Sequence, residues 1–276
     1  SIDSWINYPD PLCRELKSDL ADNENVDNEY IILGNGAADI IFRLVYALKP
    51  KKAIVLAPTF SEYEEALTSV ECKVQYHYLK EEDGFLLRDD FIECISDEID
   101  MVFICNPNNP TGVLTTNQFI IKVLKKALIT NTIIIIDESF LDFMETNNEY
   151  SSKGLLNYYD NLIVVKSLTK FFAIPGARIG YGLCKNNVLI NEINKVTVPW
   201  SINIIAADAI IQGLKEKDYI NNSIKYVKDE KEYLYGALKE IQVLKVLKPS
   251  VNFIMFKLLI DLDLKGELIK RKIYVL

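Results

Sequence analysis

Thr132-Ile133-Ile134-Ile135-Ile136-Asp137-Glu138 decides the fold class. Four consecutive isoleucines leave no polar face, so a strand built from them must be covered on both sides. Such strands belong to parallel sheets enclosed between helices. Asp137 and Glu138 then fall at the carboxyl end of the strand, where open α/β sheets collect their ligands. Outward from this stretch the pattern repeats. Residues 53–57, 73–78, 101–105, 132–136, 162–166 and 179–183 are expected strands, and helical periodicity fills residues 37–48, 61–70 and 116–129. Strand–helix alternation argues an α/β layer with mostly parallel strands. After residue 183 the pattern changes. Helices are expected over 186–195 and 203–214, then one long charged helix over 218–241. Strand-like runs at 243–247 and 251–258 suggest a second, smaller α+β domain. The expected boundary lies inside the long helix, giving a large domain over 1–222 and a small one over 223–276.

Composition excludes more than it identifies. The 276 residues are 49% hydrophobic and 25% charged, enough for a core that needs no disulfide or metal staple. The formal net charge is 31 − 39 = −8, so a global basic footprint for nucleic acid or anionic lipid is absent. The single histidine, His77, lies in an alternating strand-like run. A Ser/His/Asp triad would need it as base, and zinc sites usually need more than one histidine or a cysteine cluster. It is expected to be an ordinary strand residue, with no metal site. Cys13, Cys72, Cys94, Cys105 and Cys184 form no C-x-x-C pair, and their odd number fits free thiols in a reducing cytoplasm. No run approaches the roughly 18–20 apolar residues of a membrane span, and the first ten residues carry no signal pattern.

Four loops that follow strands carry unusual content. Gly34-Asn35-Gly36-Ala37 enters a helix, where free N–H groups favour an anion, although taken alone a plain turn explains it better. Asn106-Pro107-Asn108-Asn109-Pro110-Thr111-Gly112 is a rigid turn rich in side-chain amides. Asp137 is expected to be partly buried and therefore to meet a cation, with helix capping as the competing explanation. Ser167-Leu168-Thr169-Lys170 and Pro175-Gly176-Ala177-Arg178 supply a lysine and one of only five arginines. A lysine in a partly closed site can lose its proton and form a Schiff base, and an arginine can fork onto a phosphate. Anion nest, amide, acid, lysine and arginine together meet the needs of a pyridoxal 5′-phosphate site.

With Ala57-Pro58-Thr59-Phe60 and Asp137-Glu138-Ser139-Phe140, these segments resemble the fold-type I pyridoxal-phosphate-dependent aminotransferases, class I/II. The order agrees along essentially the whole chain, as does the eight-residue step from Lys170 to Arg178. The resemblance implies that family's three-layer α/β fold. It implies that Lys170 holds the cofactor covalently and later shuttles protons. Asp137 would pair with the ring nitrogen, Asn109 with the ring oxygen, and Phe60 would stack on the ring. Gly36, Ala37, Ser167 and Arg178 would hold the phosphate. Tyr8, in Tyr8-Pro9-Asp10-Pro11, matches a tyrosine that reaches the phosphate in the neighbouring subunit, so a homodimer with shared sites is implied.

Within the family the chain resembles two branches, threonine-phosphate decarboxylase of cobalamin biosynthesis and histidinol-phosphate aminotransferase. Phe140 favours the decarboxylase, because the aminotransferase branch typically has tyrosine there. Ser167-Leu168-Thr169-Lys170-Phe171-Phe172-Ala173-Ile174-Pro175-Gly176 and Pro199-Trp200-Ser201-Ile202-Asn203 favour it as well. The implied substrate is a small phosphorylated amino acid, L-threonine O-3-phosphate. Family members begin further ahead of the Tyr8 motif and continue past an expected strand at 273–276 to a carboxylate-binding arginine that nothing here matches. The chain is thus expected to be a fragment at both ends. Trp5 and Trp200 are expected to pack, Arg14 to lie on a helix surface, and Asp142 and Glu145 to be solvated loop charges. Asn252 matches a family position but is assigned no chemistry.

Overall fold

The computed structural model describes residues 6–145 and 149–275; Trp5, expected to pack, lies outside them. The elements run α1 (Arg14–Glu24), β1 (Ile31–Gly34), α2 (Ala37–Leu48), β2 (Lys52–Ala57), α3 (Glu62–Thr68), β3 (Lys73–Tyr78), α4 (Asp90–Glu93), β4 (Met101–Cys105), α5 (Asn117–Ile129) and β5 (Ile133–Asp137). They continue with β6 (Leu162–Ser167), α6 (Leu168–Phe171), β7 (Gly180–Cys184), α7 (Asn187–Lys195), α8 (Ile204–Gly213), α9 (Lys217–Lys239), β8 (Leu244–Val246), β9 (Phe256–Leu258) and α10 (Leu264–Lys270).

Seven strands form one sheet in the order β1-β7-β6-β5-β4-β2-β3. Its neighbours pair in parallel except β7, which is antiparallel to both β1 and β6. Alternate residues of each strand feed two cores. Ile134, Ile136, Val102, Ile104 and Val164 pack with α1, α5 and α8 on one face. Ile135, Phe103, Val55, Ile163 and Val165 pack with α2, α3 and α7 on the other. The isoleucine run is therefore covered on both sides, the α/β arrangement its sequence demands. Side-chain oxygens of Thr116, Asn186 and Asn203 cap α5, α7 and α8, which fixes those helix starts.

The helix α9 runs unbroken through residue 222, and β8 pairs antiparallel with β9 beyond it. Most of the run expected as a strand over 251–258 is irregular. Val251 instead enters a small core with Phe143 and Phe171, and only Phe256–Leu258 pairs. Residues 273–275 form no strand, because they pair with no neighbour; Leu276 lies outside the described residues.

Asp142 corrects an expectation. It accepts a 2.7 Å bond from Lys166, which is buried and also bonds Glu24 at 3.1 Å. Glu24 further accepts from Lys153 and from Tyr181 at 2.9 and 2.5 Å. Burial pushes Glu24 up, but the charges of Lys166 and Lys153 outweigh it and hold the carboxyl at about 2. Glu145, by contrast, is exposed and pairs with Lys228. Arg14 lies on the surface of α1, paired with Asp10. His77 sits on edge strand β3 against Phe91, as an ordinary strand residue. Among the described residues, no helix is long and apolar enough to cross a membrane, and no group of three or more His, Cys, Asp or Glu could hold a metal ion.

Candidate active site

The carboxyl ends of β4, β5 and β6 open into one cleft with the start of α2. Ala37, Phe60, Asn109, Asp137, Phe140, Ser167, Lys170 and Arg178 all line it. These positions are spread over 142 residues of sequence (178 − 37 + 1), yet parallel strand order brings their loops together.

Strand alternation aims Asp137 at the face covered by α3. There it is buried, and Tyr63 Oη donates to its Oδ2 at 2.7 Å while the Ser139 N–H donates to Oδ1 at 3.0 Å. The expected cation partner is absent: among the described residues Asp137 makes no ion pair, and its donors are Tyr63 and Ser139. It caps no helix either. Burial raises its pKa, opposed by hydrogen bonding from the Ser139 side chain, the Tyr63 hydroxyl and the Ser139 N–H and by a smaller pull from Lys170.

The asparagine-rich loop divides its labour. Asn106 bonds Thr115 through both amide atoms and also Tyr150. Asn108 donates to the Pro58 carbonyl and to Thr111, and accepts from Thr59, which ties this loop to the one carrying Phe60. Asn109 is the asparagine of the three that lines the cleft. Cys105 also lines it, but burial pushes its thiol up to about 12, so it is no nucleophile.

At the opposite end the N-terminus of α2 meets Arg178 and Ser167. Gly36 has φ 94°, and a Cβ there would collide with the Arg178 guanidinium. Glycine thus lets the cation close over the helix start. Ser167 Oγ lies 2.9 Å from Thr169 Oγ1. Helix N–H groups, two hydroxyls and a guanidinium form a suitable cradle for a phosphate. Lys170 lines the same cleft, with Nζ 5.8 Å from the centre of the Phe140 ring. A buried, cation-free carboxylate, an anion cradle and an amine in one cleft fit pyridoxal 5′-phosphate.

Tyr8 does not line this cleft. It is 83% exposed and leans on Trp200 at 5.2 Å. Trp200 is half-exposed, so its packing is against Tyr8 at the surface. Sequence reasoning missed Tyr63 and Gly180. A Cβ on Gly180 would lie 2.7 Å from the Ala37 nitrogen and 2.9 Å from the Lys166 oxygen, so this glycine sets how closely β7 approaches the cradle. The signal for Tyr63 was a buried phenol needing a partner three residues after Phe60; for Gly180 there was only a glycine two residues after Arg178.

The family model for aminotransferase class I and II matches residues 1–276. The chain is 38% identical over 274 residues to a putative threonine-phosphate decarboxylase of Caldanaerobacter subterraneus subsp. tengcongensis, covering 97% of this chain and 73% of that protein. It is 30% identical over 276 residues to the threonine-phosphate decarboxylase of Salmonella typhimurium, covering 100% and 75%. The crystal structure of histidinol-phosphate aminotransferase from Clostridium acetobutylicum matches with a TM-score of 0.92 at 32% identity, over 99% of this chain and 81% of that one. With strand order, cleft and sequence in agreement, this chain belongs to the aminotransferase class I and II family.

Proposed function

We propose that the chain is a pyridoxal-phosphate-dependent decarboxylase that converts L-threonine O-3-phosphate to (R)-1-amino-2-propanol O-2-phosphate for cobalamin biosynthesis. The observation that carries this reading is similarity, over 97% and 100% of this chain, to one protein named a putative threonine-phosphate decarboxylase and one named threonine-phosphate decarboxylase. Phe140 beside Lys170 supports it. When bound, the cofactor supplies an aldehyde for an amine and a ring that accepts the electron pair released at Cα.

The residues would divide the work around that group. Asp137 would pair with the ring nitrogen and hold its proton. Gly36, Ala37, Ser167 and Arg178 would bind the phosphate, Phe60 would pack on the ring, and Asn109 would donate to the ring oxygen. Phe140 has no hydroxyl to offer that oxygen, and its ring meets Phe253 edge-on at 5.0 Å. Lys170 Nζ would hold the cofactor through its aldehyde and, once displaced by the substrate amine, would carry a proton to substrate Cα. In the overall reaction the Cα–carboxylate bond would break, CO2 would leave and Cα would gain that proton. Selectivity would rest on how these residues orient the substrate carboxylate. The large and small domains at 1–222 and 223–276 would enclose the substrate. The active form is a homodimer in which Tyr8 reaches the neighbouring site, and the free cysteines suit a reducing cytoplasm.

The structural match to histidinol-phosphate aminotransferase favours a second reading, amino transfer from a phosphorylated amine. One assay separates them. With L-threonine O-3-phosphate the purified chain should release CO2 without any 2-oxo acid. Keto-acid-dependent transfer from histidinol phosphate, with no CO2, would sink the decarboxylase reading.

A further inference from the structure

Tyr63 is the second residue of α3 and fully buried, although no charge or motif marks it. Three contacts define it. Its hydroxyl donates to Asp137 Oδ2 at 2.7 Å. Its ring stacks on Phe103 of β4, with centroids 4.9 Å apart and planes 9° apart. The Phe60 ring meets it edge-on at 5.6 Å and 80°. We propose that Tyr63 is a positioning residue, whose hydroxyl keeps the Asp137 carboxylate ionised and aimed at a protonated ring nitrogen, and whose ring couples that acid to Phe60. This rests on the pyridoxal-phosphate reading above.

A buried carboxylate without a cation tends to take up a proton, and a neutral acid pairs poorly with a protonated ring nitrogen. Two residues oppose that tendency here. Ser139 holds one oxygen from just past the strand end, and Tyr63 occupies the other from a different element. An ionised carboxylate has about four acceptor sites, so these donors do not exhaust it. Two hydrogen bonds on different oxygens also fix the rotation of the carboxylate plane, which one bond would leave free. Burial keeps the phenol protonated, so it donates and adds no second negative charge. The flat stack on Phe103 sets where the hydroxyl points. Removal of that hydroxyl leaves both ring contacts intact, so Tyr63→Phe isolates the hydrogen bond.

The test compares two probes, pyridoxal 5′-phosphate and its 1-deaza analogue, in which carbon replaces the ring nitrogen. Dissociation constants are measured by equilibrium dialysis for the 276-residue chain and for Tyr63→Phe. The substitution should weaken the natural cofactor about ten-fold or more, the range for a hydrogen bond to a charged group. It should weaken the analogue less than about two-fold, because no ring cation is left to pair. Equal weakening of both probes, or of neither, would overturn the role of Tyr63 alone. Failure of the unsubstituted chain to bind pyridoxal 5′-phosphate would overturn the cofactor reading and this proposal with it. Should Tyr63→Phe not fold, the comparison moves to the Asp137→Asn background, where the acid is already neutral. There Tyr63→Phe should change cofactor affinity less than about two-fold, and a full loss would overturn the proposal.

Discussion

Glu138 follows Asp137 directly, yet the two carboxyls live in different circumstances. Glu138 is buried, accepts from Ser151 Oγ at 2.9 Å and from the Ser152 N–H at 2.5 Å, and so pins the segment that follows residue 148. Burial raises its pKa from the ordinary 4.5 to about 7, with Lys166 and the two donors pulling the other way. The folded-state pKa lies above the unfolded one. Its contribution is therefore fully present below pH 4.5 and is lost as pH rises toward 7. Glu138→Gln keeps the shape and removes the titration. The variant should gain on the parent chain between pH 4.5 and 7.5, by a relative amount on the order of 3 kcal/mol. Urea unfolding at several pH values measures it, and a difference that stays constant with pH would contradict it. None of this is visible in Asp137-Glu138 as a string. The string marks two acids after four isoleucines, and only packing tells which one faces the cleft and which one faces Ser151.

At the level of elements, the close approach of β7 to the start of α2 depends on Gly180. It pairs with Gly34 on one side and Ser167 on the other. A methyl group there meets three backbone atoms within 3 Å, none of which can rotate away. Gly180→Ala should lower stability by about 1–3 kcal/mol, as overpacking does, and should also weaken cofactor binding by shifting the α2 N–H groups. Gly236→Ala is the control, since a Cβ there meets nothing within 4 Å and it lies inside α9. It should raise stability by about 0.5–1 kcal/mol. Equal melting temperatures for the two variants would refute the close-approach role.

The elements themselves were mostly legible. Long periodic runs gave α2 its observed limits, and a single alternating run gave β3. The short helices α4, α6 and α10 were not anticipated: at four to seven residues each, none carries enough periodicity to stand out. The strand over 251–255 was misjudged because an apolar run can satisfy its burial in a local core, with no ladder at all. Likewise Lys170, Asp137, Asn109 and Arg178 stand in segments whose composition is odd, whereas Tyr63 and Gly180 act through space, on partners 74 and 143 residues away (137 − 63; 180 − 37).

For the whole molecule, one site residue assigned by resemblance stands apart from the others. Lys170 lines the cleft, whereas Tyr8 projects into solvent against Trp200, and Ile6, Leu12, Val198 and Ile205 are exposed as well. Among the described residues the Tyr8 ring has Trp200 as its aromatic neighbour. The proposed second copy would give Tyr8 a role, if each Tyr8 serves the cleft of its neighbour. Complementation tests that directly. Lys170→Ala should abolish activity and the yellow absorbance of the reconstituted chain, and Tyr8→Phe should weaken cofactor binding. In a hybrid dimer both lesions fall in the same cleft, and the other cleft combines an intact Lys170 with an intact Tyr8. An equimolar mixture, unfolded and refolded together, forms hybrids in about half its dimers, each with one intact site, so about a quarter of the sites are intact. Assayed at cofactor low enough that Tyr8→Phe alone is nearly inactive, activity should return to about a quarter of the parent value. If Tyr8 served its own chain, each hybrid cleft would carry one lesion, and the mixture would stay as inactive as its components.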